Sequence, residues 1–96
     1  MLQTISVDIR NFPESLSSDK IIQAVNNQIE TRKSDTITVD ISFLNVLDAC
    51  KVSMLCSTEN YKKNPERKIN WIVNNKDVEL YTKAMCMGNS EFFVKN

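Results

Sequence analysis

Histidine is absent from the 96 residues, which removes Ser-His-Asp and Cys-His catalysis and the commonest metal ligand together. Glycine occurs once, at Gly88, and neither GxGxxG nor GxxxxGK is present, so no glycine-rich phosphate cradle can form. Three cysteines, Cys50, Cys56 and Cys86, make no disulfide framework and no CxxC pair. Zinc would need four ligands drawn from three scattered cysteines and carboxylates, and no metal or cofactor is expected. Twelve basic and twelve acidic residues cancel, so no overall field draws in nucleic acid. The one basic cluster, Lys62-Lys63 with Arg67-Lys68, is interrupted by Asn64-Pro65-Glu66 and reads as a solvated loop. No apolar run approaches the ~20 residues of a membrane span, and Met1-Leu2-Gln3 leads into alternation rather than a signal-peptide core. The expectation is a reduced, cytoplasmic protein without membrane insertion. Its acidic residues are scattered rather than paired at catalytic spacing, so no enzymatic activity is expected.

What is present suits a single small domain over residues 1–96, with 42% hydrophobic and 25% charged residues. Alternation from Leu2 predicts a strand at or near a sheet edge, with Ile5, Val7 and Ile9 inward, broken at Asn11-Phe12-Pro13-Glu14. Hydroxyls at Ser15 to Ser18 suit a helix cap. Ile21, Ile22, Val25 and Ile29 then recur at helical spacing, giving an amphipathic helix from about Asp19 to Arg32. Ile37, Val39 and Ile41 alternate with Thr38 and Asp40 as a central strand. Phe43, Leu44, Val46 and Leu47 are expected to pack the following loop onto the core. A second helix is predicted from Asp48 to about Lys62, with Ala49, Val52, Leu55 and Cys56 inward. After a turn at Asn64-Pro65-Glu66-Arg67, Ile69 to Val73 reads as a strand. Asn74-Asn75 can cap a third helix from Lys76 to about Met87, with Val78, Tyr81, Ala84 and Met85 apolar, ended by Gly88 at a left-handed position. Ser90 to Val94 reads as the last strand. The order β-α-β-α-β-α-β predicts an α/β domain: a four-stranded, mostly parallel (mixed) sheet covered by about three helices.

Function in such sheets gathers beyond the carboxyl ends of the strands, which directs attention to Asp48-Ala49-Cys50. Asp48 is expected to cap the second helix. Cys50 in its first turn would feel the helix dipole, which favours a thiolate. Cys50, Met54, Ser57 and Tyr61 form a second, partly outward stripe on that helix. Cys56 and Cys86 read as small core residues, and Trp71 and Tyr81 as core or sheet-facing.

Three segments together carry a family resemblance. Ile37-Thr38-Val39-Asp40-Ile41-Ser42, the loop Phe43 to Leu47, and Asp48-Ala49-Cys50-Lys51-Val52-Ser53-Met54-Leu55 resemble the STAS domain (sulfate transporter and anti-sigma factor antagonist), whose strand leads into an Asp-Ser-Ser-Gly-Leu-Gly type motif opening a helix. Strand Ile69 to Val73, a helix ending at Gly88 and Phe92-Phe93-Val94 are similar to the family's ending. The resemblance covers roughly the last sixty residues, and one strand precedes the first helix where the family usually has a pair. It implies a STAS-like fold and a bacterial, non-enzymatic regulatory module that binds a protein partner of the anti-sigma or sensor type. Asp48 matches the family's acid. Cys50 stands at the phosphoacceptor-equivalent position, with Ala49 beside it and Lys51 and Ser53 in place of glycines, so the phosphorylation switch is expected to be missing unless Ser53 substitutes. On this reading Asp48, Cys50, Met54, Ser57 and Tyr61 contact the partner. Two alternatives remain: a redox-responsive thiol protein using Cys50, and a small-ligand binding domain with a pocket at Asn45, Asp48 and Asn74.

Overall fold

β-branched runs and amphipathic stripes alternate along the chain. The computed structural model, which describes residues 2–6, 18–82 and 89–95, sets them in the order β1 (Leu2–Ser6), α1 (Ser18–Glu30), β2 (Thr36–Asp40), α2 (Val46–Lys63), β3 (Lys68–Val73), α3 (Asp77–Thr82) and β4 (Asn89–Val94). The strands lie side by side as β1-β2-β3-β4, and every described pairing is parallel. The expected mixed character is therefore not seen among the described strands. Val7 and Ile9, and the end of the third helix with Ala84, Met85, Cys86 and Gly88, lie outside the described residues.

Sequential order decides where the helices go. Each helix connects two neighbouring parallel strands, and such crossovers are right-handed almost without exception, so all three fall on one face. They form a single layer in which α2 lies between α1 and α3 and packs on both. Register places Ile37 beside Ile69 and Val39 beside Trp71, and these residues, with Ile41 and Val73, are fully buried beneath that layer. Ile21, Val25 and Ile29 of α1, Ala49, Val52 and Cys56 of α2 and Val78 of α3 meet them in one core. Full burial of such a side chain stabilises by about 1.5–3 kcal/mol, which outweighs the weak helix propensity of Asn26 and Asn27 in α1.

The other face carries no helix among the described residues. It presents Thr36, Thr38 and Asp40 of β2, Lys68, Asn70 and Ile72 of β3, and Glu91 and Phe93 of β4, as the register and the alternating burial of β3 require. Its polar groups pair laterally: Asn70 Nδ2 donates to Thr38 Oγ1 at 3.5 Å, and Lys68 pairs with Glu91 at 2.6 Å.

Short turns hold the layers in place. Asp40 Oδ1 accepts the Ser42 N–H at 2.9 Å and the Ser42 hydroxyl at 2.6 Å, ending β2. Asn64 to Arg67 closes with a 3.0 Å bond from Arg67 N–H to the Asn64 carbonyl, with Pro65 at the position where its fixed φ suits a turn. The Arg67 guanidinium donates to the carbonyls of Ile29 at 3.0 Å and Arg32 at 2.6 Å, tying the end of α1 and the turn after it to the entry of β3.

Candidate interaction surface

Asn45, not Asp48, caps α2. Asn45 has extended backbone (φ −68, ψ 168), and its Oδ1 accepts the Asp48 N–H at 2.8 Å while its Nδ2 donates to Asp48 Oδ2 at 3.2 Å. The short amide reaches the third amide of the helix, and Asp48, inside the first turn, complements the dipole. Starting the helix at Val46 moves Cys50 into the second turn, where the dipole has faded. Cys50 is half-buried, and burial pushes its thiol above the ordinary value. The feature on which a redox-responsive reading depended, a depressed thiol, is thus replaced by its opposite. Cys56 is fully buried, and burial, reinforced by the Glu59 charge, pushes its thiol up to about 12.

The buried stripe of α2 is Ala49, Val52, Ser53, Cys56, Ser57 and Asn60, an unbroken i, i+3, i+4, i+7, i+8, i+11 series. Three of its six members are polar, and each has a reason to be inside. Ser53 Oγ donates to the Ala49 carbonyl at 2.8 Å. Ser57 Oγ accepts the Trp71 indole N–H at 3.0 Å and the Ser90 hydroxyl at 2.9 Å. Asn60 Nδ2 donates to the Arg67 carbonyl at 3.3 Å, leaving its Oδ1 without a partner. Leu55, expected inward, is 45% exposed, because Ser53, Ser57 and Asn60, which hydropathy scores as surface, take the inward positions.

The sequence-derived partner residues therefore separate. Tyr61 is exposed, Asp48, Cys50 and Met54 are half-buried, and Ser57 is 1% exposed, so it cannot touch a partner. Ser53 is fully buried with its hydroxyl bonded to its own helix, which removes it as a substitute phosphoacceptor. Of the loop expected to pack down, Leu44 is buried and Val46 lies half-buried against the core, but Phe43 and Leu47 are exposed. Tyr81, expected in the core or facing the sheet, is exposed as well.

What hydropathy missed is the exposure of several large apolar residues on the helix layer. Leu47 and Leu55 of α2 and Leu80 and Tyr81 of α3 are exposed, as is Tyr61; Leu47 is 67% and Leu80 68% exposed. The spacing could have revealed it, since Leu47, Lys51, Leu55, Thr58 and Lys62 recur at i+4, i+4, i+3 and i+4, opposite the buried stripe.

The proposed ligand residues are engaged in holding the fold. Asn45 and Asp48 bond each other, and Asn74 Nδ2 donates to the Leu44 carbonyl at 3.2 Å. A cavity of about 330 Å³ lies elsewhere, at the turns that enter β2 and β3, lined by residues including Lys33, Asp35, Lys63 and Arg67. That is the end opposite to the one where open α/β sheets bind ligands. The basic cluster is also paired internally: Lys62 with Glu59, Lys63 with Glu30 and Lys68 with Glu91. Among the described residues no three acidic or cysteine side chains gather to hold a metal ion, and no helix is long and apolar enough to cross a membrane. Comparison with family models, curated proteins and solved structures finds no match to this chain.

Proposed function

We propose that the chain is a non-enzymatic protein-interaction module whose partner rests on the outer surface of α2 and α3. One observation carries this reading. Of eight exposed large hydrophobic residues among those described, five (Leu47, Leu55, Tyr61, Leu80 and Tyr81) lie on these two adjacent helices. Singly exposed apolar residues are ordinary, but their concentration on two adjacent helices supports an interaction site. Half-buried Met54 offers an adaptable contact within the same surface.

The resemblance to the STAS domain supplies the partner class, an anti-sigma or sensor-type regulator. A switchless form of that module fits a cysteine at position 50 and a Ser53 hydroxyl held inside the helix layer. The test is capture of a partner by the immobilised chain from extract of its source, with Leu47→Glu and Leu80→Glu as comparison baits. Both positions are two-thirds exposed, so melting temperature should hold while capture is lost. Undiminished capture by both variants would remove this surface from consideration.

A further inference from the structure

We infer that β4 pairs with β4 of a second copy of this chain, antiparallel about a two-fold axis, in the register that sets Phe93 against the partner's Phe93. This inference concerns the sheet edge and is independent of the α2 and α3 surface.

β4 is terminal in the strand order and its described pairing is to β3 alone. Phe93 is 48% and Val94 44% exposed, and the strand Asn-Ser-Glu-Phe-Phe-Val contains no proline to blunt it. The ladder itself reveals which backbone groups of β4 point away from β3. Lys95 N–H donates to the Val73 carbonyl at 2.7 Å, in the register that pairs Val73 with Val94. In a parallel ladder a residue's N–H and C=O point to the same side, and successive residues alternate. Glu91, Phe93 and Lys95 therefore address β3, while Ser90, Phe92 and Val94 turn their backbone groups outward.

A self-complementary pairing about a two-fold axis must be antiparallel and must match outward residues with outward residues. Two central registers do so. Centring on Phe92 sets Glu91 against the partner's Phe93 and pairs no charges. Centring on Phe93 lets Phe92 and the partner's Val94 exchange both backbone bonds, twice by symmetry. It also stacks the two Phe93 rings as a close, non-hydrogen-bonded pair and sets Glu91 against the partner's Lys95 on both sides of the axis. Charge complementarity selects this second register. Glu91 and Lys95 already pair with Lys68 and Asp40 within one chain, so the contact joins two exposed ion pairs into one network across the axis. An edge contact is smaller than the ~1,200–2,000 Å² of a stable interface, so association should depend on concentration.

Sedimentation of the full chain over a concentration series tests this. The wild type should show a monomer–dimer equilibrium. Glu91→Lys and Lys95→Glu should each weaken it about tenfold or more, since each sets like charges opposite one another twice per dimer. An equimolar mixture of the two variants should recover a heterodimer near wild-type affinity, because opposite charges face again while the contacts within each chain stay as in the separate variants. Independently, Phe93→Cys should give a covalent dimer linked through position 93 on mild oxidation, the Cα atoms of such a pair standing about 4.5 Å apart, within disulfide range. A wild type that is monomeric throughout, a dimer indifferent to both charge reversals, or no cross-link at position 93 would overturn the inference.

Discussion

Ser57 shows how much a single hydroxyl decides in this molecule. It sits in a helix face that would otherwise be apolar, and it is there because Trp71, the largest fully buried side chain, brings an indole N–H that needs an acceptor. Ser57→Ala leaves that donor buried and unpaired, which should cost about 1–3 kcal/mol in urea unfolding. Tyr61→Ala, four residues on but exposed, should cost well under half as much, and equal losses would place Ser57 on the surface after all. Asp40 makes a pH-dependent contribution. Partial burial pushes its carboxyl up, but hydrogen bonds from the Ser42 side chain and backbone and the Lys95 ammonium together outweigh it and hold the pKa below its usual value. A depressed acid stabilises fully above the unfolded-state value near ~3.9, and loses that contribution as pH falls through the folded value. The denaturant midpoints of wild type and Asp40→Asn should therefore differ most near neutrality and converge in acid. A constant gap from pH 7 downward would show that the carboxylate's charge contributes nothing.

At the scale of elements, periodicity is a sound guide to existence and a weaker one to ends. Each described helix and strand lies within two residues of where the stripes put its start. The cap of α2 was displaced because Asp and Asn both accept amide protons, and local sequence does not say which one stands in an extended conformation three residues before a free N–H. Asn45→Ala should cost about 1 kcal/mol, within a range of about 0.5–2. Asp48→Asn should cost about 0.3–1 kcal/mol, the value of a charge near the dipole. Chemical denaturation of the two variants measures the ranking, and a reversed order would restore Asp48 as the cap. The inner face of α2 was misread for a related reason: Ser53, Ser57 and Asn60 find partners on their own helix, on β3 and β4, and at Arg67. Hydropathy scores a side chain without knowing its partner.

At the scale of the whole molecule, the described helices all lie on one face of the sheet. Parallel sheets usually have both faces covered, whereas here one face bears the helices and the other, among the described residues, is a lattice of threonine, asparagine and ion pairs around Ile72 and Phe93. Stability should concentrate in β2 and β3, which are bonded on both sides and packed beneath α2. In dilute solution, amide hydrogen exchange should be slowest there and faster in β1 and β4. Uniform protection across the four strands would mean that the edges are covered. Raising the concentration should slow the amides of Phe92 and Val94, the groups the two-fold pairing uses.

By itself the sequence determined the class of fold. Alternation at period two and stripes at period 3.6 are properties of local chain geometry, so β-α-β-α-β-α-β and a core around Ile37, Val39, Trp71 and Val25 could be read directly. The bend of the chain at Pro65 and the lack of any histidine-based site were equally legible. Tertiary structure decided the strand order and with it the face on which the described helices lie. It also set which end of α2 carries the cap, which serines are core residues, and which leucines and tyrosines face outward. Those outcomes depend on partners distant in sequence, Trp71 and Ser90 for Ser57, Leu44 for Asn74 and Ile29 for Arg67. A residue's burial follows from the hydrogen bond or packing it finds across the fold, and that partner cannot be identified from neighbours along the chain.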